Sequence, residues 1–232
     1  MSPIHYLTHK IHKVWNTNKF TSVLFLDVEG AFPNTVTKRL IHNLKNRRIP
    51  RSIINFIQQL LSNRRTRLTF DNFTSEPIPV LNGIGQGDPL SMLLYIYYNS
   101  DLLNIPSNHK AKDASGYVDD IALITVGNNF TETTNRLKNM MTAKNRGLDW
   151  SKTHNSKFEV SKSAIMHFTR KTIRNPHGIG KIPLPKPKLI IEGQMVKETN
   201  KYKYLGILLD SQLKWKEQAS RVTPAGSCNT EG

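Results

Sequence analysis

Apolar positions recur at helical spacing in the first segment, where Ile4, Leu7, Ile11, Val14 and Trp15 share one face and predict an amphipathic helix over 3–16. The unbroken run Val23-Leu24-Phe25-Leu26-Asp27-Val28 predicts a buried strand that carries one carboxylate. Val36, Leu40, Ile41 and Leu44 then predict a helix stopped near Pro50, and Ile53, Ile54, Phe56, Ile57, Leu60 and Leu61 make the next helix the clearest in the chain. Residues 65–80 read as a hairpin, with Leu68 and Phe70 alternating before the turn-forming Asp71-Asn72. Asp88-Pro89 opens a strongly apolar helix, Asp serving as N-cap and Pro as first helical residue. Ser115 to Ile124 reads as two short strands flanking Asp119-Asp120, so the acids fall at a hairpin turn. A helix from Thr131 to Gly147 with Leu137, Met140 and Met141 inward, a strand over Ala164–Phe168, and strands near 188–196 and 202–210 follow. Between them, residues 174–188 hold Pro176, Gly178, Gly180, Pro183, Pro185 and Pro187 among lysines and read as an extended basic loop. Residues 223–232 are small, polar and patternless, which predicts disorder.

The central skeleton is strand, helices, hairpin, helix, strand. That order predicts an α+β fold, a split β-α-β on an antiparallel sheet with helices packed on one face. The expected organisation is an N-terminal helix and connection over 1–21, a central unit over 22–170, a basic loop with two strands over 171–215, and a disordered tail over 216–232.

Charge narrows the partner. Lys and Arg number 33 against 17 Asp and Glu, a net +16, which favours a polyanion and most simply nucleic acid. An anionic membrane is the rival, but no segment approaches the ~18 apolar residues of a spanning helix. The first turns carry His and Lys, unlike a secretory signal, and the single Cys228 excludes an internal disulfide or a Cys-based zinc site. An intracellular protein is expected. His5, His9 and His12 share a helix face, but position 6 is Tyr6 where a metalloprotease helix needs Glu, so they are expected to be solvated.

The chemistry lies with the acids. Asp119 and Asp120 repel each other and call for a nearby cation. If the strand bearing Asp27 lies beside them, three carboxylates meet at one sheet edge, a site for hard divalent ions. The loop Gly83-Ile84-Gly85-Gln86-Gly87 lets backbone approach a ligand closely. It reads equally as a flexible turn capped by Asp88, and its G-x-G-x-G spacing is not the dinucleotide fingerprint.

Five segments in order resemble the motifs of a reverse transcriptase, most closely the domain of non-LTR retrotransposons. Phe25-Leu26-Asp27-Val28-Glu29-Gly30-Ala31-Phe32 is similar to the first catalytic motif, Asn82 to Ser91 to the second, and Tyr117-Val118-Asp119-Asp120 to the third. Ser161 to Phe168 is similar to the fourth, and Tyr204-Leu205-Gly206-Ile207-Leu208-Leu209-Asp210 to the fifth, the primer grip. The resemblance spans roughly residues 1–215. It implies a polymerase palm at 22–170, primer-grip strands within 171–215, and RNA-directed DNA synthesis. Asp27, Asp119 and the Val28 carbonyl would ligate two Mg²⁺ ions, with Mn²⁺ as a substitute and Asp120 as a weaker or outer acid. Phe32 would pack under the incoming sugar and favour deoxynucleotides, where RNA-dependent RNA polymerases usually place an acid. Gln86, Gly87 and Tyr117 would face the nucleotide and template, Lys162 would protonate departing pyrophosphate, and Tyr204, Leu205 and Gly206 would grip the primer. The implied partners are an RNA template, a DNA primer and deoxynucleoside triphosphates, with no membrane. Basic residues 46–51 and 64–67, with Lys181, Lys186 and Lys188, would contact phosphates.

The chain departs from the family pattern at both ends. Asp27 is preceded by only 26 residues, and Thr223 onward does not read as a helical thumb, so a palm-centred fragment with partial fingers and no complete thumb is expected. Two rivals therefore stand beside the polymerase: a catalytically silent, basic nucleic-acid-binding remnant, and a basic protein held on an acidic membrane or partner.

Overall fold

A computed structural model describes residues 2–106, 110–174 and 179–222. Helix α1 (Pro3–Trp15) leads into strand β1 (Phe20–Leu26), and α2 (Thr37–Asn46), α3 (Arg51–Leu61) and α4 (Pro89–Asn99) follow. Next come the hairpin β2 (Lys112–Tyr117) and β3 (Asp120–Gly127), then α5 (Phe130–Thr142), α6 (Gly147–His154) and β4 (Ala164–Phe168). The chain closes with β5 (Lys197–Glu198), the hairpin β6 (Lys201–Tyr204) and β7 (Ile207–Asp210), and α7 (Lys216–Val222).

The central sheet has the order β5-β4-β1-β3-β2. β1 runs antiparallel to both β3 and β4, and only the short edge strand β5 pairs in parallel. Every residue of β1 is buried, which explains an apolar run without alternation: both faces of this strand are covered. Leu24, Leu26, Ile121, Leu123 and Ile165 meet Leu137, Met140 and Met141 of α5 and Trp150 of α6. On the other face Val23, Phe25, Ala122, Ile124, Met166 and Phe168 meet Leu7 and Ile11 of α1, with Tyr204 and Leu209. The expected one-sided layer therefore holds for α5 and α6, while α1 and the β6–β7 hairpin close the opposite side. α2, α3 and α4 form their own cluster beside the sheet, around Leu40, Leu44, Ile57, Tyr95 and Tyr98.

The helix expected over 131–147 stops at Thr142, and a further helix, α6, starts at Gly147: Asn145 takes a left-handed φ of 59°, and the Asp149 carboxylate accepts its N–H at 2.7 Å, so the chain turns between α5 and α6. The strand expected over 188–196 is a tight pairing of Ile190–Ile191 with Gln194–Met195, turned by Glu192 and Gly193 at φ 48° and 77°. The strand expected over 202–210 is likewise the β6–β7 hairpin, whose central residues Leu205 and Gly206 have φ of 48° and 83°, as a two-residue hairpin loop demands. Part of the basic loop is ordered, Lys181–Pro183 pairing with Thr172–Arg174; Pro176 and Gly178 lie outside the described residues. The tail expected to start at 216 instead begins with α7, where Gln218 accepts the Leu208 N–H at 2.8 Å and Glu217 pairs with Lys201. Residues 223–232, including Cys228, lie outside the described residues.

Two histidines are enclosed by this packing. His167 of β4 is 1% exposed, with Nδ1 2.7 Å from the Ser22 hydroxyl, and His154 at the end of α6 is 4% exposed. Burial pushes both imidazoles down to about 4. The unfolded chain then binds more protons between pH ~6.5 and ~4, so stability is full above that window and falls as the pH drops through it, by up to about 3 kcal/mol per histidine. Thermal melts from pH 7 to 4 should show this acid limb, and His167→Gln should flatten it.

Candidate functional site

Asp27 is the first residue past β1, and the chain on its β4 side fixes its position. Its N–H donates to the Ser163 hydroxyl at 3.3 Å, and its carbonyl accepts the Glu159 N–H at 2.9 Å. The Glu29 N–H donates to the Lys157 carbonyl at 2.9 Å, so these bonds flank a Val28–Phe158 bridge. Antiparallel alternation then turns the Val28 carbonyl away from Phe158, toward the β3 side. Lys162 Nζ stands 3.9 Å from Asp27 Oδ2, with both side chains open to solvent, so the pair contributes little stability.

On the neighbouring strand pair, Tyr117 pairs with Asp120 and leaves Val118 and Asp119 as the hairpin turn. Asp119 sits in the expected turn, whereas Asp120 is the first residue of β3. Val118 takes φ 55°, a left-handed conformation that costs a β-branched residue about 1–2 kcal/mol. The Asn99 side-chain amide donates to the Val118 carbonyl and holds it. Because Leu26 pairs with Ile121, Asp27 and Asp120 are neighbours across β1 and β3. Burial, then the charges of Asp119 and Asp27, raise the Asp120 carboxyl above its ordinary range. The hydroxyls of Tyr95 and Tyr202 are pushed up by burial first, with Asp27 adding to both, Asp119 to Tyr95 and Asp120 to Tyr202. Groups on α4 and β6 thus feel the same negative potential. The carboxylates share one edge, although among the described residues no three carboxylate, imidazole or thiol groups already close on a single point.

The glycine loop lies against the turn after β1. Gly83 donates to the Thr35 carbonyl at 2.7 Å, and Ile84 to the Phe32 carbonyl at 3.0 Å. Gly83 has φ 86°, and a Cβ there would lie 2.7 Å from the Pro33 carbonyl oxygen. The Arg64 guanidinium donates to the Asn82 and Gly83 carbonyls at 3.1 and 2.7 Å, so this arginine, expected on phosphate, anchors the loop instead. Gly83→Ala combines an unfavourable φ with a backbone clash and should cost about 2–4 kcal/mol, measured as a lowered urea midpoint. Phe32 stacks on Tyr95 at 5.2 Å and is partly buried, whereas Gln86, Gly87 and Tyr117 are exposed. Asp88 caps α4 as expected, its Oδ1 accepting the Leu90 N–H at 3.0 Å.

The fifth motif divides by depth. Tyr204 is 1% exposed and belongs to the core, which leaves the Leu205–Gly206 turn as its outward part. Among the basic residues, Arg47 pairs with Asp101 at 2.7 Å and Lys186 with Glu198 at 2.8 Å. Arg48, Arg51, Arg65, Arg67, Lys181 and Lys188 are exposed and make no ion pair among the described residues. His5, His9 and His12 are exposed, as expected of solvated histidines. No described helix is long and apolar enough to cross a membrane. Asn99 and Tyr95 bear on the site without having been read from the sequence, and Ser163, inside the fourth motif segment, had no contact with Asp27 assigned to it. Their contacts span up to 136 residues, and a single Asn, Ser or Tyr carries no spacing signal.

Comparison with known proteins bears on the same residues. Residues 2–209 match the family described as "Reverse transcriptase (RNA-dependent DNA polymerase)". A probable RNA-directed DNA polymerase from transposon BS of Drosophila melanogaster is 28% identical over 214 residues, covering 90% of this chain and 22% of that protein. The RNA-directed DNA polymerase from mobile element jockey of Drosophila funebris is 26% identical over 231 residues, 94% of this chain and 23% of its own length. The chain thus spans about a fifth to a quarter of these relatives. A telomerase from Candida Tropicalis, solved with a fragment of telomeric RNA, superposes on 92% of this chain and 33% of its own with a TM-score of 0.58 at 10% identity, a likeness of fold.

Proposed function

This chain belongs to the reverse transcriptase family, and from that premise we propose that its carboxylate edge carries out RNA-templated DNA synthesis. The observation that carries the proposal is the convergence of Asp27 with the Asp119–Asp120 turn: burial and then these neighbouring charges raise the Asp120 carboxyl, and Lys162 stands 3.9 Å from Asp27. Members of the family generally use divalent metal ions. Excess carboxylate charge and hard oxygen donors fit such ions, with Asp27, Asp119, Asp120 and the Val28 carbonyl as the holders and Mg²⁺, or Mn²⁺ in its place, as the ion. Bound at this edge, two divalent ions supply activation of a primer hydroxyl and neutralisation of triphosphate charge.

The chain's own groups do the rest. Phe32, stacked on Tyr95, forms a floor for the incoming sugar and disfavours a 2′-hydroxyl. Gln86, Gly87 and Tyr117 face the nascent pair from loop and turn. Lys162 holds a proton within reach of the departing pyrophosphate. The Leu205–Gly206 turn contacts the primer, and Arg48, Arg51, Arg65 and Arg67 contact template phosphates. The substrates are an RNA template, a DNA primer and deoxynucleoside triphosphates. One observation favours a silent nucleic-acid binder instead: the acids share an edge without closing on a point. Extension of a DNA primer on an RNA template by one deoxynucleotide, dependent on Mg²⁺ or Mn²⁺, separates the two. Folded protein that binds the duplex and never extends it makes the binder correct.

A further inference from the structure

We propose that Asn99, which lies outside every motif segment named above, is a positioning residue that clamps the acidic turn in its working conformation. The proposal rests on the metal-site reading just given and deepens it. Asn99 ends α4 and is 3% exposed. The platform beneath it is rigid: Leu94, Tyr95 and Tyr98 of the same helix are buried, and the Tyr98 hydroxyl accepts the Val36 N–H at 3.2 Å while donating to the His154 carbonyl. From that platform the Asn99 amide donates to the carbonyl of Val118, the residue at φ 55°. The Val118 side chain is partly buried against the same cluster.

A β-branched residue left to itself abandons positive φ. Relaxation at Val118 would reorient the peptide that leads into Asp119 and swing that carboxylate away from Asp27. Two contacts oppose it, the side-chain packing of Val118 and the hydrogen bond to its carbonyl. Glycine at position 118 would hold the same turn without help, since it adopts positive φ freely and is favoured at the first central residue of such a turn. This predicts a specific genetic interaction between two residues 19 apart in sequence.

The test compares wild type, Asn99→Leu, and Asn99→Leu combined with Val118→Gly. Backbone ¹⁵N and ¹³C resonances report the turn, electron paramagnetic resonance reports Mn²⁺ affinity, and thermal melts report the fold. Asn99→Leu should move the residue 118 and Asp119 resonances toward negative φ and weaken Mn²⁺ binding about 5- to 10-fold. Adding Val118→Gly should restore most of that affinity without restoring the melting temperature, a split that a merely structural asparagine would not produce. Unchanged resonances with unchanged affinity overturn the proposal, as does a loss that Val118→Gly fails to repair. If the leucine variant does not fold, Asn99→Ser is read by the same criteria. Wild-type protein that binds no Mn²⁺ defeats the metal reading itself, and the clamp is then decided on the turn resonances alone.

Discussion

Asp119→Asn and Asp27→Asn should each lower deoxynucleotide incorporation at least about a thousandfold, while the protein keeps its fold and its affinity for RNA–DNA duplex. Asn preserves shape and removes only the charge. At a site whose chemistry depends on gathering cations, that loss takes away several kcal/mol of transition-state stabilisation, and each 1.36 kcal/mol is tenfold. The fold should not suffer. Burial and the charges of Asp119 and Asp27 hold the Asp120 carboxyl up, so the acids repel one another in the folded protein. Removing one of them relieves that repulsion, and the variants should melt no lower than wild type. Duplex affinity should persist because the exposed arginines and lysines proposed to contact phosphates are unchanged in both variants. Gel-based extension beside fluorescence anisotropy and melting checks all three. A variant with activity within tenfold of wild type would remove that aspartate from the reaction.

Phe25→Ala should cost about 3–5 kcal/mol, the range for deleting a buried aromatic from a core. Phe25 is 1% exposed on the strand that ends at Leu26, just before Asp27. Its ring stacks on Tyr202 at 4.2 Å and tilts against Tyr204 at 5.2 Å, both on the hairpin whose turn is Leu205–Gly206. The same ring therefore packs the strand that leads to Asp27 and seats the β6–β7 hairpin. Urea denaturation measures the stability loss. Hydrogen exchange should show β6 and β7 opening more than β3, because β3 keeps its main-chain pairing to β1. A loss below about 1 kcal/mol would mean that the hairpin does not depend on this contact.

The sequence disclosed the core of this architecture because its strongest signals are local. An apolar run that ends in an acid, an Asp-Pro helix start and paired acids between short strands each express their physics within a few residues. With the family resemblance they imply that Asp27 meets Asp119 and Asp120, and the register of β1 with β3 brings Asp27 beside Asp120. What stayed hidden depends on distant partners or on backbone conformations unusual for the residue type. Nothing near Leu205 announces φ 48°, so a single strand was expected where a hairpin stands. Tyr204 reads as part of a primer grip until β1 and α1 are seen to enclose it. Arg64 looks like its basic neighbours, and only the approach of the glycine loop to Pro33 makes it a loop anchor. The Asn99 amide meets Val118 only because α4 ends beside the turn.

The central claim is that Asp27, Asp119 and Asp120 form one cation-binding edge. Calorimetric titration of Mn²⁺ into wild type, Asp27→Asn and Asp119→Asn tests it without requiring turnover. Wild type should bind the ion, because burial and the neighbouring charges of Asp119 and Asp27 raise the Asp120 carboxyl, and a cation at this edge offsets that repulsion. Both variants should lose most of that binding. Identical titrations for wild type and Asp119→Asn would contradict the account.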